Sequence, residues 1–179
     1  MSDMQRDELY ERLDRLDEDA SLLFDDDRRF RMVIVGGSAL ILLETIFRAT
    51  HDIDALDASP ELSGLLSRYD INRNVAAYAG NFAYNYEDRL VSLPVGGRKI
   101  DFFSASLEDI VAAKLFSERP SDRQDILSPS VLEALDWKLL EKIATVEDEI
   151  KASALSERSY INFIENYNEY VRRFGPCGS

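Results

Sequence analysis

The chain has 179 residues, 45% hydrophobic and 31% charged, with a net charge of −13 from 34 acidic and 21 basic side chains. This is the composition of a globular protein with a substantial core, and its acidity argues against a protein devoted to non-specific nucleic-acid binding. A single cysteine and a single histidine exclude a disulfide framework and a zinc site of nitrogen and sulfur ligands, so any metal would be held by oxygen. No basic-plus-apolar leader and no apolar run of bilayer length is found, so a cytoplasmic location without membrane attachment is expected.

Leu9, Leu13, Leu16, Ala20 and Leu23 recur at spacings of three and four among charges, which predicts an amphipathic helix over 3–23. Phe30 to Val35 reads as a buried strand ending at Gly36, Gly37 and Ser38, after which Ala39 to Phe47 reads as an apolar helix. A strand follows over 52–56, and Ser59 with Pro60 opens a helix through about Tyr69. Residues 71–78 fit strand or helix equally. Strands are expected over 81–87 and 90–95, the second joined through Gly96 and Gly97 to a strand over 99–103.

From Ser106 the pattern turns helical. Ser106 with Asp109, Ser121 with Gln124 and Ser130 with Glu133 have N-cap spacing. Helices are expected over 107–118, 122–127, 131–148 with a break near Trp137, and 157–174. The last carries the stripe Tyr160, Phe163, Ile164, Tyr167, Val171 and Phe174, suited to a core or a homodimer surface. The expected fold is α/β (α+β): a small mixed sheet and N-terminal helix over 1–105, then a helical region over 106–179.

Three features carry chemistry. Backbone N–H groups freed by Gly36 and Gly37, with the Ser38 hydroxyl, can bind an anion; plain turn geometry is the simpler alternative, and the spacing is not that of a Walker loop. Asp52 and Asp54 flank Ile53, so strand alternation puts both carboxylates on one face. Inside a sheet these like charges need a cation, and Mg²⁺ takes carboxylates with substrate phosphates completing its shell. Asp101 is a third strand-borne aspartate, and Lys114 falls on the apolar stripe of its helix with Leu107, Ile110 and Val111. His51 adjoins Asp52 but points to the opposite strand face.

A Gly-Gly-Ser turn, a helix, Asp-Ile-Asp and a later strand aspartate together resemble the polymerase-beta-like nucleotidyltransferase superfamily. The string Gly36, Gly37, Ser38, Ala39, Arg48, Thr50, Asp52, Ile53, Asp54 is similar to the small nucleotidyltransferases of abortive-infection and toxin-antitoxin systems (AbiEii-like). So is Lys114 followed by Arg119, Asp122 and Asp125. The resemblance covers about residues 30–127. It implies that Gly36, Gly37 and Ser38, with Lys114 and Arg119, bind an NTP such as ATP. It implies that Asp52, Asp54 and Asp101 hold two Mg²⁺ ions, with Mn²⁺ as the alternative, and that Arg48, Thr50, Asp122 and Asp125 support the site. NMP would pass to a hydroxyl on RNA, protein or a small molecule, and an antitoxin protein would be a partner. A non-catalytic interaction module on the same fold, or an antibiotic-type small-molecule nucleotidyltransferase, is the alternative.

Overall fold

Phe30–Val35 forms β1, in which every residue except Arg31 is buried. A run apolar on both faces belongs in the middle of a sheet covered on both sides, and β1 is the central strand of five in the order β3-β2-β1-β5-β4. The computed structural model describes residues 2–48, 50, 52–73, 79–146 and 149–176. Strand β2 (Ile53–Ala58) runs antiparallel to β1, and β5 (Ile100–Ser104) runs parallel to it. The two-residue β3 (Ile71–Asn72) pairs parallel with β2, and β4 (Val91–Gly96) pairs antiparallel with β5. The result is a mixed α/β sheet followed by a helical C-terminal half, the expected fold class.

Two compact units divide the chain: Met1–Ala76 with Leu90–Ala105, and Ala77–Arg89 with Ser106–Ser179. The chain passes between the units at 76/77, 89/90 and 105/106. The first unit holds the sheet with α1 (Ser2–Leu23), α2 (Gly36–Leu42) and α3 (Ser63–Arg68). Helix α1 buries Leu9, Leu13, Leu16 and Ala20 as its period predicts, whereas Leu23, at the helix end, is exposed. Its Asp17 is fully buried and accepts backbone N–H bonds from Arg98, Lys99 and Ile100 at 2.9, 2.8 and 2.6 Å. A carboxylate with three charge-assisted bonds fixes α1 to the turn between β4 and β5.

Helix α2 is shorter than its apolar pattern suggests. It ends at Leu42, and Glu44 takes a left-handed conformation with φ 62°, which leaves Phe47 exposed on the following loop.

The second unit contains α4 (Leu107–Leu115), α5 (Pro120–Ile126), α6 (Pro129–Ala134), α7 (Trp137–Glu141), α8 (Glu149–Ser153) and α9 (Glu157–Phe174), with a π-helical turn over Lys142–Val146. Ser106 caps α4, its hydroxyl oxygen accepting from the Asp109 N–H at 3.1 Å. Ser121 and Ser130 do not cap. Pro120 and Pro129 occupy the first helical turns, so α5 and α6 start two residues earlier, after Arg119 and Ser128. The break near Trp137 is made by Asp136, which caps α7 through the N–H groups of Lys138 and Leu139.

No strand forms over 81–87, contrary to the sequence expectation. The stretch is made of turns and a 3-10 segment, Tyr86–Arg89. Phe82 and Ala83 are both buried, a consecutive pair that a strand would send to opposite faces. Asn85 and Arg89, one helical turn apart, instead reach buried acids: Arg89 Nε and Nη2 lie 2.8 and 2.9 Å from the Asp109 carboxylate, and Asn85 donates to Glu149 at 2.9 Å. In α9, Phe163, Tyr167 and Tyr170 are buried, and Phe163 stacks on Phe116 with centroids 4.6 Å apart. Tyr170, outside the expected stripe, donates its hydroxyl to the Ile126 carbonyl at 2.7 Å. This tyrosine face is core.

Candidate functional site

The chain leaves β1 at Val35 and turns through Gly36 at φ 69°, a left-handed conformation that favours glycine. Val35 registers with Asp54 across the β1–β2 pair, so the Asp54 carboxylate lies against the turn. A Cβ on Gly36 would sit 3.0 Å from Asp54 Oδ2; glycine makes room for the carboxylate. Asp54 Oδ1 accepts from Asn72 Nδ2 at 3.2 Å, and Asn72 is the residue that registers with Asp54 on β3.

Beside it, the Arg48 guanidinium lies over Gly37, with Nη2 2.5 Å from the place where a Cβ would stand. Adjacent glycines thus carry opposite charges, a carboxylate on Gly36 and a guanidinium on Gly37. Asp52 is exposed immediately before β2, and Ile53 between the two aspartates is fully buried. Thr50 Oγ1 donates to the Asp52 carbonyl at 3.1 Å and shapes the approach to the strand. His51 lies outside the described residues.

Ser38 corrects the expectation. It is buried, and its hydroxyl donates to the Val35 carbonyl at 3.1 Å, so it locks the turn from within.

Asp101 is a larger correction. In the parallel β1–β5 pair it registers with Arg31, whereas Asp54 registers with Val35. Four residues of strand separate these positions, about 13 Å at 3.3 Å per residue, while two metals of one site lie about 4 Å apart. Asp101 is bound instead by Arg29, whose Nε lies 3.1 Å from Oδ2. It cannot share a metal with Asp54. Asn72 is the side chain that the sequence reading missed; a two-residue strand has no period to detect, and only its amide chemistry hints at a role.

Lys114 belongs to the second unit, and there the structure accounts for its place on an apolar stripe. The buried ammonium lies 2.5 Å from Asp122 Oδ1 and 2.9 Å from Asp125 Oδ2, and Ser117 donates to Asp122 Oδ2 at 2.6 Å. The lysine expected to contact a nucleotide is engaged instead by the two aspartates expected to support the site, and the three tie α4 to α5. Burial works to raise the Asp122 pKa, but hydrogen bonds from Lys114 and Ser117 and the charges of Lys114 and Arg119 outweigh it and hold the carboxyl below its ordinary 3.8. Arg119 is exposed at the α5 N-cap.

Asp54 and Asn72 at the glycine turn, with Asp52 exposed just ahead of β2, offer donors to a cation that arrives with phosphate oxygens. They are too few for a resident ion, since Mg²⁺ retained on protein carboxylates keeps several waters or phosphate ligands. Among the described residues no cluster of three or more acidic, histidine or cysteine side chains could hold a metal unaided. The arrangement fits an ion shared with a nucleotide.

Residues 11–175 match the family model described as "Nucleotidyltransferase of unknown function (DUF6036)". The chain belongs to this nucleotidyltransferase family. No curated protein and no solved structure is significantly similar to it. The match spans both units of the nucleotidyltransferase, so the helical half is part of the family's architecture. Among the described residues no helix is long and apolar enough to cross a membrane.

Proposed function

We propose that this nucleotidyltransferase moves NMP from an NTP to a hydroxyl acceptor with the help of Mg²⁺ held at Asp52 and Asp54. The observation that carries the reading is the seat of Asp54 on Gly36, which puts a carboxylate against the turn whose backbone would meet the phosphates. Bound there with phosphate oxygens, Mg²⁺ or Mn²⁺ would neutralise the charge of the triphosphate and of the departing pyrophosphate. Asn72 holds Asp54 in orientation through Oδ1 and leaves Oδ2 at the turn. The acceptor oxygen attacks the α-phosphorus, its new P–O bond forms as the α–β bridging bond breaks, and the hydroxyl proton passes to Asp52 or to water.

The test is binding and transfer with each labelled NTP, with Mg²⁺ and with chelator, for the native chain and Asp54→Ala. Cation-dependent NTP binding lost in Asp54→Ala supports the reading; its absence from the native chain at millimolar NTP overturns it.

The AbiEii-like string from Gly36 to Asp54, with the Lys114, Arg119, Asp122 and Asp125 segment, supports a toxin paired with an antitoxin protein. Induced expression should then arrest growth, and Asp54→Ala should relieve the arrest. Equal growth with both chains would count against a toxin and leave the transferase reading standing.

A further inference from the structure

At the Gly36–Gly37 turn the expected side-chain donor to phosphate is Ser38, yet its hydroxyl is buried and given to the Val35 carbonyl. Another donor occupies the surface of the turn. Arg48 is exposed, and its guanidinium covers Gly37, with Nη2, Cζ and Nη1 at 2.5, 3.3 and 3.8 Å from the position of an added Cβ. Any side chain at 37 would take that volume, so the glycine serves the arginine. We infer that Arg48, rather than Ser38, is the side chain that grips the nucleotide's phosphates at this turn, an inference that rests on the nucleotide reading above.

The charge arrangement supports it. Asp54 stands at the turn in a chain of net charge −13, and a triphosphate is strongly anionic. Asp54 over Gly36 suits the cation that accompanies the phosphates, while Arg48 over Gly37 offers the phosphates themselves a planar fork of N–H donors. That fork matches phosphate oxygens in pairs, as a lone serine hydroxyl cannot. The glycine pair then sorts the two charges of a metal–nucleotide complex onto neighbouring positions. Arg48 keeps its present contacts until an anion of higher charge competes for the guanidinium.

The experiment measures ATP binding with Mg²⁺ by calorimetry, with inorganic tripolyphosphate as a competitor that lacks a base and sugar. Arg48→Ala should weaken both ligands by about tenfold or more, as expected for loss of a charge-assisted pair, and Arg48→Lys should restore part. Gly37→Ala retains the arginine but moves it from its seat, and should weaken both ligands as well. Ser38→Ala, which removes only the buried bond to the Val35 carbonyl, should lose less ATP affinity than Arg48→Ala. Unchanged thermal melting in Arg48→Ala separates lost binding from lost folding. If the native chain binds ATP and Arg48→Ala binds it equally, or if Ser38→Ala loses as much as Arg48→Ala, the inference falls and the nucleotide reading survives. If the native chain binds no NTP, the nucleotide reading falls and this inference with it.

Discussion

Arg29 grips Asp101 with two nitrogens of its guanidinium, Nε on Oδ2 and Nη2 on Oδ1, at the end of β1 remote from Gly36. An aspartate engaged there is a surface ion partner, and exposed pairs contribute little to stability. Asp101→Asn is expected to keep cation-dependent NTP binding and a near-native melting curve, whereas Asp52→Asn and Asp54→Asn lose the binding. Titration of ATP into the three variants distinguishes the outcomes; loss in Asp101→Asn equal to that in Asp54→Asn would restore the three-carboxylate arrangement.

The Lys114 triad makes a prediction about stability. Lys114→Met leaves Asp122 and Asp125 without their cation inside the second unit, and breaking a buried pair from one side costs about 3–5 kcal/mol. Urea denaturation should show a lowered midpoint. Adding Asp125→Leu to Lys114→Met should recover part of the loss, because it removes the more buried of the two carboxylates.

Acid sensitivity follows from Asp122. Its folded pKa lies below the ordinary 3.8 because Lys114, Ser117 and Arg119 outweigh the opposing effect of burial. The stabilisation is therefore complete above the unfolded value and is lost as pH falls from near 4 through the folded value. Denaturation midpoints between pH 6 and pH 2 should fall more steeply for the native chain than for Asp122→Asn. At the alkaline end, burial raises the Tyr170 hydroxyl above 10.0, as it does those of Tyr10, Tyr69 and Tyr167, so stability should decline as pH rises past 10, and Tyr170→Phe should lessen that decline.

Glycine substitutions should differ in sign. Gly36→Ala forces a Cβ into a left-handed conformation, about 1–2 kcal/mol, and places it 3.0 Å from Asp54 Oδ2. Gly64, exposed in α3 with open space around it, should gain about 0.5–1 kcal/mol on change to alanine. Thermal melting of the two variants gives opposite shifts if these conformations hold in solution.

Asp17 is expected to be the most sensitive acid of α1. Replacing it with alanine leaves the N–H groups of Arg98, Lys99 and Ile100 without their acceptor, a loss of about 3 kcal/mol or more. Its neighbour Glu18, which carries the same charge on the same helix, should tolerate alanine with little change in the denaturation midpoint.

Much of the sheet could be read from the residues themselves. β1 announces itself as an apolar run, α1 and α9 by their period, and the β4–β5 hairpin by its paired glycines. What escaped were features decided by partners remote in sequence. Asn85 lies in a stretch that reads as strand, and Arg89 just beyond it, until Asp109 and Glu149 are beside them. Asp17 is one charge among many in α1 until the 98–100 backbone reaches it. At the candidate site, the Gly36 and Asp54 pairing was legible because the turn and the aspartate lie eighteen residues apart, joined by one short helix. The position of Asp101 was not, because alternation within β5 says which face a side chain takes but not which end of the neighbouring strand it meets. Register comes from the pairing itself.

The segment 77–89 gives the chain an order of assembly. During synthesis it leaves the ribosome before the residues that hold it, since Arg89 waits for Asp109 and Asn85 for Glu149. The strands at 90–105 meanwhile return to finish the sheet begun at Phe30. A nascent chain stopped at Ala105 would own every strand of its sheet and still lack the acids that bind Arg89 and Asn85. Shortened forms of this protein should therefore respect all three crossings, because a single cut at 105 parts Asn85 and Arg89 from the acids that bind them.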